Sequence, residues 1–221
     1  MHDFQYASPN TLNEALKLLA KGKGGALLLA GGTDLIVKMR ARRLRPELVV
    51  DAKRIPELNG VKLDKSGLTL GAAVSCRRVY EDHRIAAAYP ALAESAALVG
   101  GIAIQGRASV GGNLCNAAPS ADTVPALIVL GAVAQVRGPK GSRKIPVEEF
   151  CTGPGCNALK KGELLVSLKI PKPVRHSGAF FLRLIPRNEM DIAIVNAAAA
   201  VELDSAGRTF KSARISVGAA A

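Results

Sequence analysis

An α+β fold built in successive parts is predicted by three observations. Helix, strand, turn, helix and strand patterns follow one another between Thr11 and Val50, the order expected of a small α/β lobe. From Gly60 the pattern changes to strands mixed with Ala/Leu-rich helices. A loop-rich connection, Pro171 to Ser177, then sets off a final pair of strand-like runs. The parts so marked are residues 1–58, 59–172 and 178–221.

Taken in order, Thr11-Leu12-Asn13-Glu14 is a capping-box pattern, with Thr11 as the cap and Glu14 reaching back. Leu12, Ala15, Leu16 and Leu19 keep helical spacing, and Gly22 stands where a C′ glycine ends a helix. Ala26 to Ala30 suits a buried strand, Leu35 to Met39 a helix, and Leu48 to Val50 another strand. Leu68 to Val74 reads as a strand, after which Ser75 caps a short helix through Val79 and Tyr80. Pro90 to Val99 forms a second helix, while Gly100 to Ala108 has little periodicity. Pro119 to Asp122 opens a buried helix over Val124 to Ala132, with Pro125 in its first turn, where a missing N–H costs little. Val133 to Arg137, Leu164 to Ile170 and Phe180 to Leu184 are strands. Ile192 to Leu203 and Phe210 to Val217 bracket Asp204-Ser205-Ala206-Gly207, a hairpin turn. A strand pair with nothing after it cannot cover its own apolar face, so either a partner covers it or the sequence is a fragment.

The bulk properties narrow the function. With 221 residues, 48% hydrophobic and 22% charged, the chain can bury a core; without tryptophan and with 4% aromatics, that core is aliphatic. No apolar run approaches the ~18 residues of a membrane span, and Met1 to Gln5 lacks a basic-then-apolar signal. A cytoplasmic chain without membrane insertion is expected. The net charge of +12 raises nucleic acid as a partner. Yet the basic clusters, Lys38 to Arg45 and Arg137 to Lys144, carry no interleaved aromatics and no helix-turn-helix or finger spacing. A solvated basic face, or a face for an acidic partner subunit, is the preferred reading. Cys76, Cys115, Cys151 and Cys156 lack the paired spacing of a zinc or iron–sulfur site, and His2, His83 and His176 are scattered. No metal is expected on this chain.

The chemistry-bearing feature is a pair of glycine-rich stretches: Leu28-Leu29-Ala30-Gly31-Gly32-Thr33-Asp34-Leu35 and Ser109-Val110-Gly111-Gly112-Asn113, continued to Asn116. Each sets a Gly-Gly step beside a hydroxyl residue. Adjacent glycines can take φ > 0 and let several N–H groups face one anion, so two such turns suit the two phosphates of a dinucleotide. Each alone is equally a tight turn without a ligand. Neither is the G-x-G-x-x-G of a Rossmann site, and no G-x-x-x-x-G-K-[ST] loop occurs. Asp122 is either a carboxylate at the start of a helix or an acceptor for a ligand's ribose or adenine. Arg183 and Arg187 are either surface charges or residues sharing a face, and Arg187-Asn188-Glu189-Met190-Asp191 is polar enough for a binding loop. No nucleophile–base arrangement or carboxylate pair stands out, so no catalytic residue is named; a cofactor would carry any chemistry.

Ala30-Gly31-Gly32-Thr33-Asp34, Ser109-Val110-Gly111-Gly112-Asn113, Phe150-Cys151-Thr152-Gly153-Pro154-Gly155 and Met190-Asp191-Ile192-Ala193 resemble the signatures of the FAD-binding medium subunit of molybdenum hydroxylases. That family includes the carbon-monoxide dehydrogenase medium subunit, the xanthine dehydrogenase flavin domain and the 4-hydroxybenzoyl-CoA reductase β subunit. The resemblance runs from about Asp3 to the last residue, with the motifs in the family's order.

The resemblance implies a vanillyl-alcohol-oxidase-type (PCMH-type) fold: two lobes, here 1–58 and 59–172, holding FAD between them, then a C-terminal α+β domain beginning at 178. It implies that Leu28 to Leu35 and Ser109 to Asn113 contact the FAD pyrophosphate, that Asp122 lies near the adenine–ribose end, and that Leu165 and Arg183 lie beside the flavin. Arg183 stands where relatives have a lysine, and the two cations differ in geometry. Implied partners are an iron–sulfur small subunit with two 2Fe–2S clusters and a large molybdopterin subunit, with NAD+, a quinone or another acceptor taking electrons from FAD. Family members continue beyond the point where this sequence stops, so the C-terminal domain is expected to be incomplete. The 4Fe–4S insertion of the 4-hydroxybenzoyl-CoA reductase β subunit is missing, so no cluster is expected. The rival readings are a truncated, non-catalytic structural subunit of the same complex and a stand-alone flavoprotein oxidase.

Overall fold

The computed structural model describes residues 1–22, 25–187 and 190–220. The chain opens with strand β1 (Gln5–Ala7), helix α1 (Leu12–Lys21), strand β2 (Ala26–Leu29), helix α2 (Leu35–Arg40) and strand β3 (Leu48–Asp51). The three strands form a parallel sheet in the order β1-β3-β2. Thr11 caps α1 by accepting from the Glu14 N–H at 3.2 Å. Glu14 accepts from the Asn10 N–H at 3.0 Å, one residue earlier than the capping-box pattern implies. Gly22 is not left-handed, having φ −68°; its smallness serves packing, because a Cβ there would collide with that of Ala26. The buried stripe of α1, Leu12, Ala15 and Leu19, packs with Val50, Ala52, Ile55 and Leu58.

Next come α3 (Pro56–Asn59), β4 (Val61–Asp64), β5 (Gly67–Gly71), α4 (Cys76–Glu81), α5 (His83–Ala88), α6 (Pro90–Ala97), α7 (Ile102–Gln105), α8 (Val110–Asn116) and α9 (Thr123–Val129). Then follow β6 (Val133–Gly138), β7 (Gly141–Pro146), β8 (Cys151–Gly153), β9 (Cys156–Asn157) and β10 (Leu164–Pro171). Five of these strands make an antiparallel sheet, β4-β5-β10-β6-β7. Its inner face packs Leu68, Leu70, Ala134, Val136, Leu165 and Leu168 against Val79, Leu92, Leu114 and Leu127 of the helices. The strand expected to reach Val74 stops at Gly71, where the Val74 N–H turns back to the Gly71 carbonyl and the backbone of Leu58 leaves no room for a Cβ. The basic cluster Arg137 to Lys144 is the β6–β7 hairpin, not a bare charged face. Arg143 there binds Glu163 through Nε and Nη2, at 2.9 and 2.7 Å. Charged residues and a terminal Pro146 suit β7 to its place at the sheet edge.

The last sheet holds β11 (Ser177–Leu184), β12 (Val195–Leu203) and β13 (Phe210–Gly218), antiparallel in that order. The expected turn is present: Asp204 accepts from the Arg208 N–H and the Thr209 hydroxyl, and Gly207 has φ +68°. β12 begins at Val195 rather than Ile192. The segment before it is held as a loop by Arg187, which pairs with Asp191 and donates to the Met190 carbonyl. Arg187 therefore lies beyond β11 and shares no strand face with Arg183, while Asn188 and Glu189 of the expected binding loop lie outside the described residues. One sheet face buries Phe181 and Ala198 against Ala91, Ala126 and Val129 of α6 and α9. The other face, with Phe180, Leu182, Leu184, Ile215 and Val217, is exposed.

Candidate functional site

A cleft of about 440 Å³ lies between the parallel sheet with α2 on one side and α8 with β10 on the other. That volume is ordinary for a ligand site. Both glycine-rich stretches line it, although they lie almost eighty positions apart in sequence.

The first stretch is a loop between β2 and α2, with Gly32 at φ +80°, a conformation that favours glycine. Gly31 is buried and lies flat on the backbone of Arg107 and Ala108, where a Cβ would overlap the Arg107 carbonyl. The second stretch differs from the expected turn. Ser109 caps α8 by accepting from the Gly112 N–H at 3.1 Å, and neither Gly111 nor Gly112 has a positive φ. Gly111 is required by crowding: a Cβ would stand 2.5 Å from the Ala72 carbonyl oxygen. Arg107 and Ala108 lead directly into Ser109, so the two stretches pack against each other at the cleft floor. The loop after β5 adds to this seam, because the Cys76 N–H donates to the Ala108 carbonyl at 2.7 Å.

The far end of α8 is also braced. The Gly155 N–H donates to the Ala117 carbonyl, and the Asn157 amide donates to the Cys115 carbonyl at 2.7 Å. The segment Phe150 to Gly155, singled out in the sequence, is thus a hairpin that supports α8. Asn113 is oriented from behind by Thr123, whose hydroxyl and N–H both donate to its side-chain oxygen, at 2.7 and 3.2 Å.

Of the sixteen residues named from sequence, Leu28, Ala30, Gly31, Gly32, Thr33, Asp34, Leu35, Ser109, Gly111, Gly112, Asn113 and Leu165 line the cleft. Leu165 enters it from β10, beside the register shift between Leu165 and Ser167. Leu29 packs beneath Gly32, and Val110 is fully buried in the main core. Asp122 and Arg183 meet each other instead, 3.1 Å apart and nearly sealed from solvent, tying the start of α9 to β11. Arg183 also donates to the Leu98 carbonyl at 2.7 Å. Burial raises the Asp122 pKa, and the Arg183 guanidinium pulls it back. The Asn196 amide stands close enough to favour the carboxylate without closing a hydrogen bond to it; Asp122 Oδ1 and both polar atoms of Asn196 are buried without a partner. This pair connects to the cleft through the chain, since Thr123 follows Asp122 and holds Asn113.

Sequence reasoning did not place Lys38, Lys161 and Glu163 in the cleft, all of which line it, together with Cys115 and Asn116 from the end of the second stretch. Lys38 belongs to the Lys38 to Arg45 basic cluster, whose other members Arg40, Arg42, Arg43 and Arg45 are exposed. Burial pushes the Cys76 and Cys115 thiols up to about 12, so neither is a thiolate at neutral pH. Among the described residues no group of three or more His, Cys, Asp or Glu could hold a metal, and no helix is long and apolar enough to cross a membrane.

Comparison with known proteins agrees with this geometry. Residues 2–173 match the family model described as the FAD binding domain in molybdopterin dehydrogenase, and residues 180–221 match the CO dehydrogenase flavoprotein C-terminal domain. The xanthine dehydrogenase FAD-binding subunit of Escherichia coli O157:H7 is 35% identical over 224 residues, covering 100% of this chain and 76% of the relative. The nicotinate dehydrogenase FAD-subunit of Eubacterium barkeri is 30% identical over 211 residues, covering 94% and 71%. Among solved structures, carbon monoxide dehydrogenase from Hydrogenophaga pseudoflava superposes with a TM-score of 0.92 at 29% identity, over 97% of this chain and 74% of that one. Quinoline 2-oxidoreductase from Pseudomonas putida 86 gives 0.89 at 30% identity, over 98% and 74%. The chain belongs to the FAD-binding medium-subunit family of the molybdenum hydroxylases, subunits of oxidoreductase complexes.

Proposed function

We propose that the cleft is the FAD site, and that the chain works as the electron-transfer subunit of a molybdenum hydroxylase-type dehydrogenase. The observation that carries this is the meeting of Gly31-Gly32 and Ser109–Gly112 on one cleft floor. The residues present fit the cofactor. Side chains are missing where a pyrophosphate must approach backbone, and Thr33, Ser109 and Asn113 supply hydroxyl and amide groups beside it. Leu28, Leu35 and Leu165 give apolar walls for the flat ring systems. Residues 1–58 and 59–172 are the proposed two lobes around the cofactor. Asp122, expected near the adenine–ribose end, and Arg183, expected beside the flavin, enter this reading as one buried unit that reaches the cleft through Thr123 and Asn113.

Bound FAD would supply redox chemistry that accepts electrons from iron–sulfur centres and releases them to a further acceptor. The chain's own part is to hold the cofactor, exclude water from its buried side and present its exposed edge to partners. The proposed partners are a small subunit with two 2Fe–2S clusters and a large molybdopterin subunit, with NAD+, a quinone or another acceptor beyond. A cytoplasmic location belongs to the same reading, because Cys76, Cys115, Cys151 and Cys156 are all free thiols. Titration of cofactor-free protein with FAD, followed by flavin absorbance, tests it: saturable one-to-one binding at micromolar concentration is expected. A colourless protein that refuses FAD would leave a structural subunit as the reading, and turnover of a small substrate by the lone chain would favour a stand-alone oxidase.

A further inference from the structure

We propose that Lys38 is the cation that meets the phosphate charge of the dinucleotide, and that Asn116 holds it across the cleft until then. The inference rests on the reading of the cleft as the FAD site. α2 begins at the end of the first glycine stretch and α8 contains most of the second, and they face each other over the cleft. The Lys38 ammonium donates to the Asn116 side-chain oxygen at 2.5 Å, joining two residues 78 positions apart. Both are half-buried, and both line the cleft.

Two features set Lys38 apart. First, its partner is a neutral amide; among the described residues no carboxylate lies within ion-pair distance of it, whereas Arg143 and Arg183 each have one. An ammonium held in a half-buried wall by an amide alone leaves a net positive charge directed at the cavity. Second, it is the one basic residue of the Lys38 to Arg45 cluster that lines the cleft.

Its position matches the phosphates. Helical side chains lean toward the N-terminus of their helix, so the ammonium lies over the turn that begins at Asp34, next to Gly31-Gly32. On α8, Gly112, Asn113 and Asn116 are spaced by three and four and share one face, which is the face lining the cleft. Asn116, four residues on, therefore lies about 6 Å along the axis from the Gly112 level. A lysine stem covers that distance by rotating about its own bonds. The Gly112 and Asn113 N–H groups are already bonded to Ser109, so the Gly31-Gly32 loop would supply the neutral donors to the pyrophosphate, and Lys38 supplies the full charge that neutral donors lack.

A bond that only held α2 to α8 would affect stability and nothing specific to phosphate. The test is FAD affinity of the full chain, freed of cofactor, measured by flavin fluorescence at low and high salt, with riboflavin as the phosphate-free probe. Lys38→Met is expected to weaken FAD binding by about tenfold or more, to remove most of its salt dependence, and to leave riboflavin binding unchanged. Lys38→Arg should retain the salt dependence. Gly112→Val, which places a branched side chain into the cleft, serves as the control for the site itself. If Lys38→Met binds FAD as the parent does, with the same salt dependence, while Gly112→Val has lost binding, the assignment of Lys38 is wrong and the cleft reading stands. If Gly112→Val also binds FAD normally, the cleft reading fails and the role of Lys38 fails with it.

Discussion

The two glycine pairs share a dipeptide and a cleft but not a backbone. Gly31-Gly32 occupies a loop with Gly32 at φ +80°, whereas Gly111-Gly112 lies inside the first turn of α8 with neither residue left-handed. Within each pair the roles divide the same way. The leading glycine is buried and pressed against backbone: Gly31 on Arg107, Gly111 on Ala72. The trailing glycine is half-exposed and would meet only side-chain atoms. A Gly-Gly step at a ligand site is therefore not always a request for positive φ. In both pairs it marks a chain pressed against protein on one side and open to the cleft on the other.

This division can be broken at the leading positions first. Gly111→Val has the largest expected effect, because its Cβ would stand 2.5 Å from the Ala72 carbonyl oxygen and 2.6 Å from the Ala72 Cα, and backbone cannot step aside cheaply. A loss of about 3 kcal/mol or more is expected, which for a chain of this size is roughly 6–12 °C in Tm, together with loss of FAD binding. Thermal melting of the cofactor-free protein checks the stability part separately from the ligand. A Gly111→Val protein that melts with the parent would show that Ala72 is not the constraint.

Gly32→Ala comes next and acts by a different cause. The nearest atoms to its Cβ, Leu29 Cδ1 at 2.8 Å and Ile36 Cδ1 at 3.0 Å, are ends of flexible side chains, so the main cost is the left-handed backbone. That costs about 1–2 kcal/mol for an L-residue. Gly32→Asn should recover part of it, since asparagine tolerates this region better. Equal melting of the alanine and asparagine variants would point to crowding rather than φ.

How much of this was legible before the structure follows from range. The capped helix at Thr11, the strands at Leu48 and Leu164 and the cap at Ser75 rest on local pattern, and the glycine stretches announce themselves by composition. β7 was hidden because an edge strand needs one buried side, and Arg143 and Lys144 read as charge. β1 was hidden because its three residues bury nothing fully. The pairings of Lys38 with Asn116, and of Arg183 with Asp122, join positions 78 and 61 apart, and no local periodicity carries that information. The helical state of Gly111-Gly112 was misread for a related reason. Glycine disfavours a helix interior by about 1 kcal/mol, and here packing on Ala72 and the Ser109 cap override that preference.

Gly112→Ala has the smallest expected effect on stability and separates the two roles most cleanly. Its φ is helical, so replacing glycine gains roughly 1 kcal/mol of helix propensity. Its new Cβ would stand 2.7 Å from the Ser109 hydroxyl, which can rotate away at the cost of the cap, again about 1 kcal/mol. The two terms nearly cancel, and the melting temperature should move by no more than about 2 °C. Affinity should not be spared in the same way. The added methyl stands on the cleft wall where a phosphate would lie, and a ligand group held off by one methyl loses its closest contacts there. FAD affinity is expected to fall about tenfold while riboflavin, which lacks phosphates, binds as before. Equal weakening of FAD and riboflavin would place the flavin ring at Gly112 and reverse the orientation of the cofactor in the cleft. An unchanged affinity for both would mean that the trailing glycine takes no part in holding the ligand.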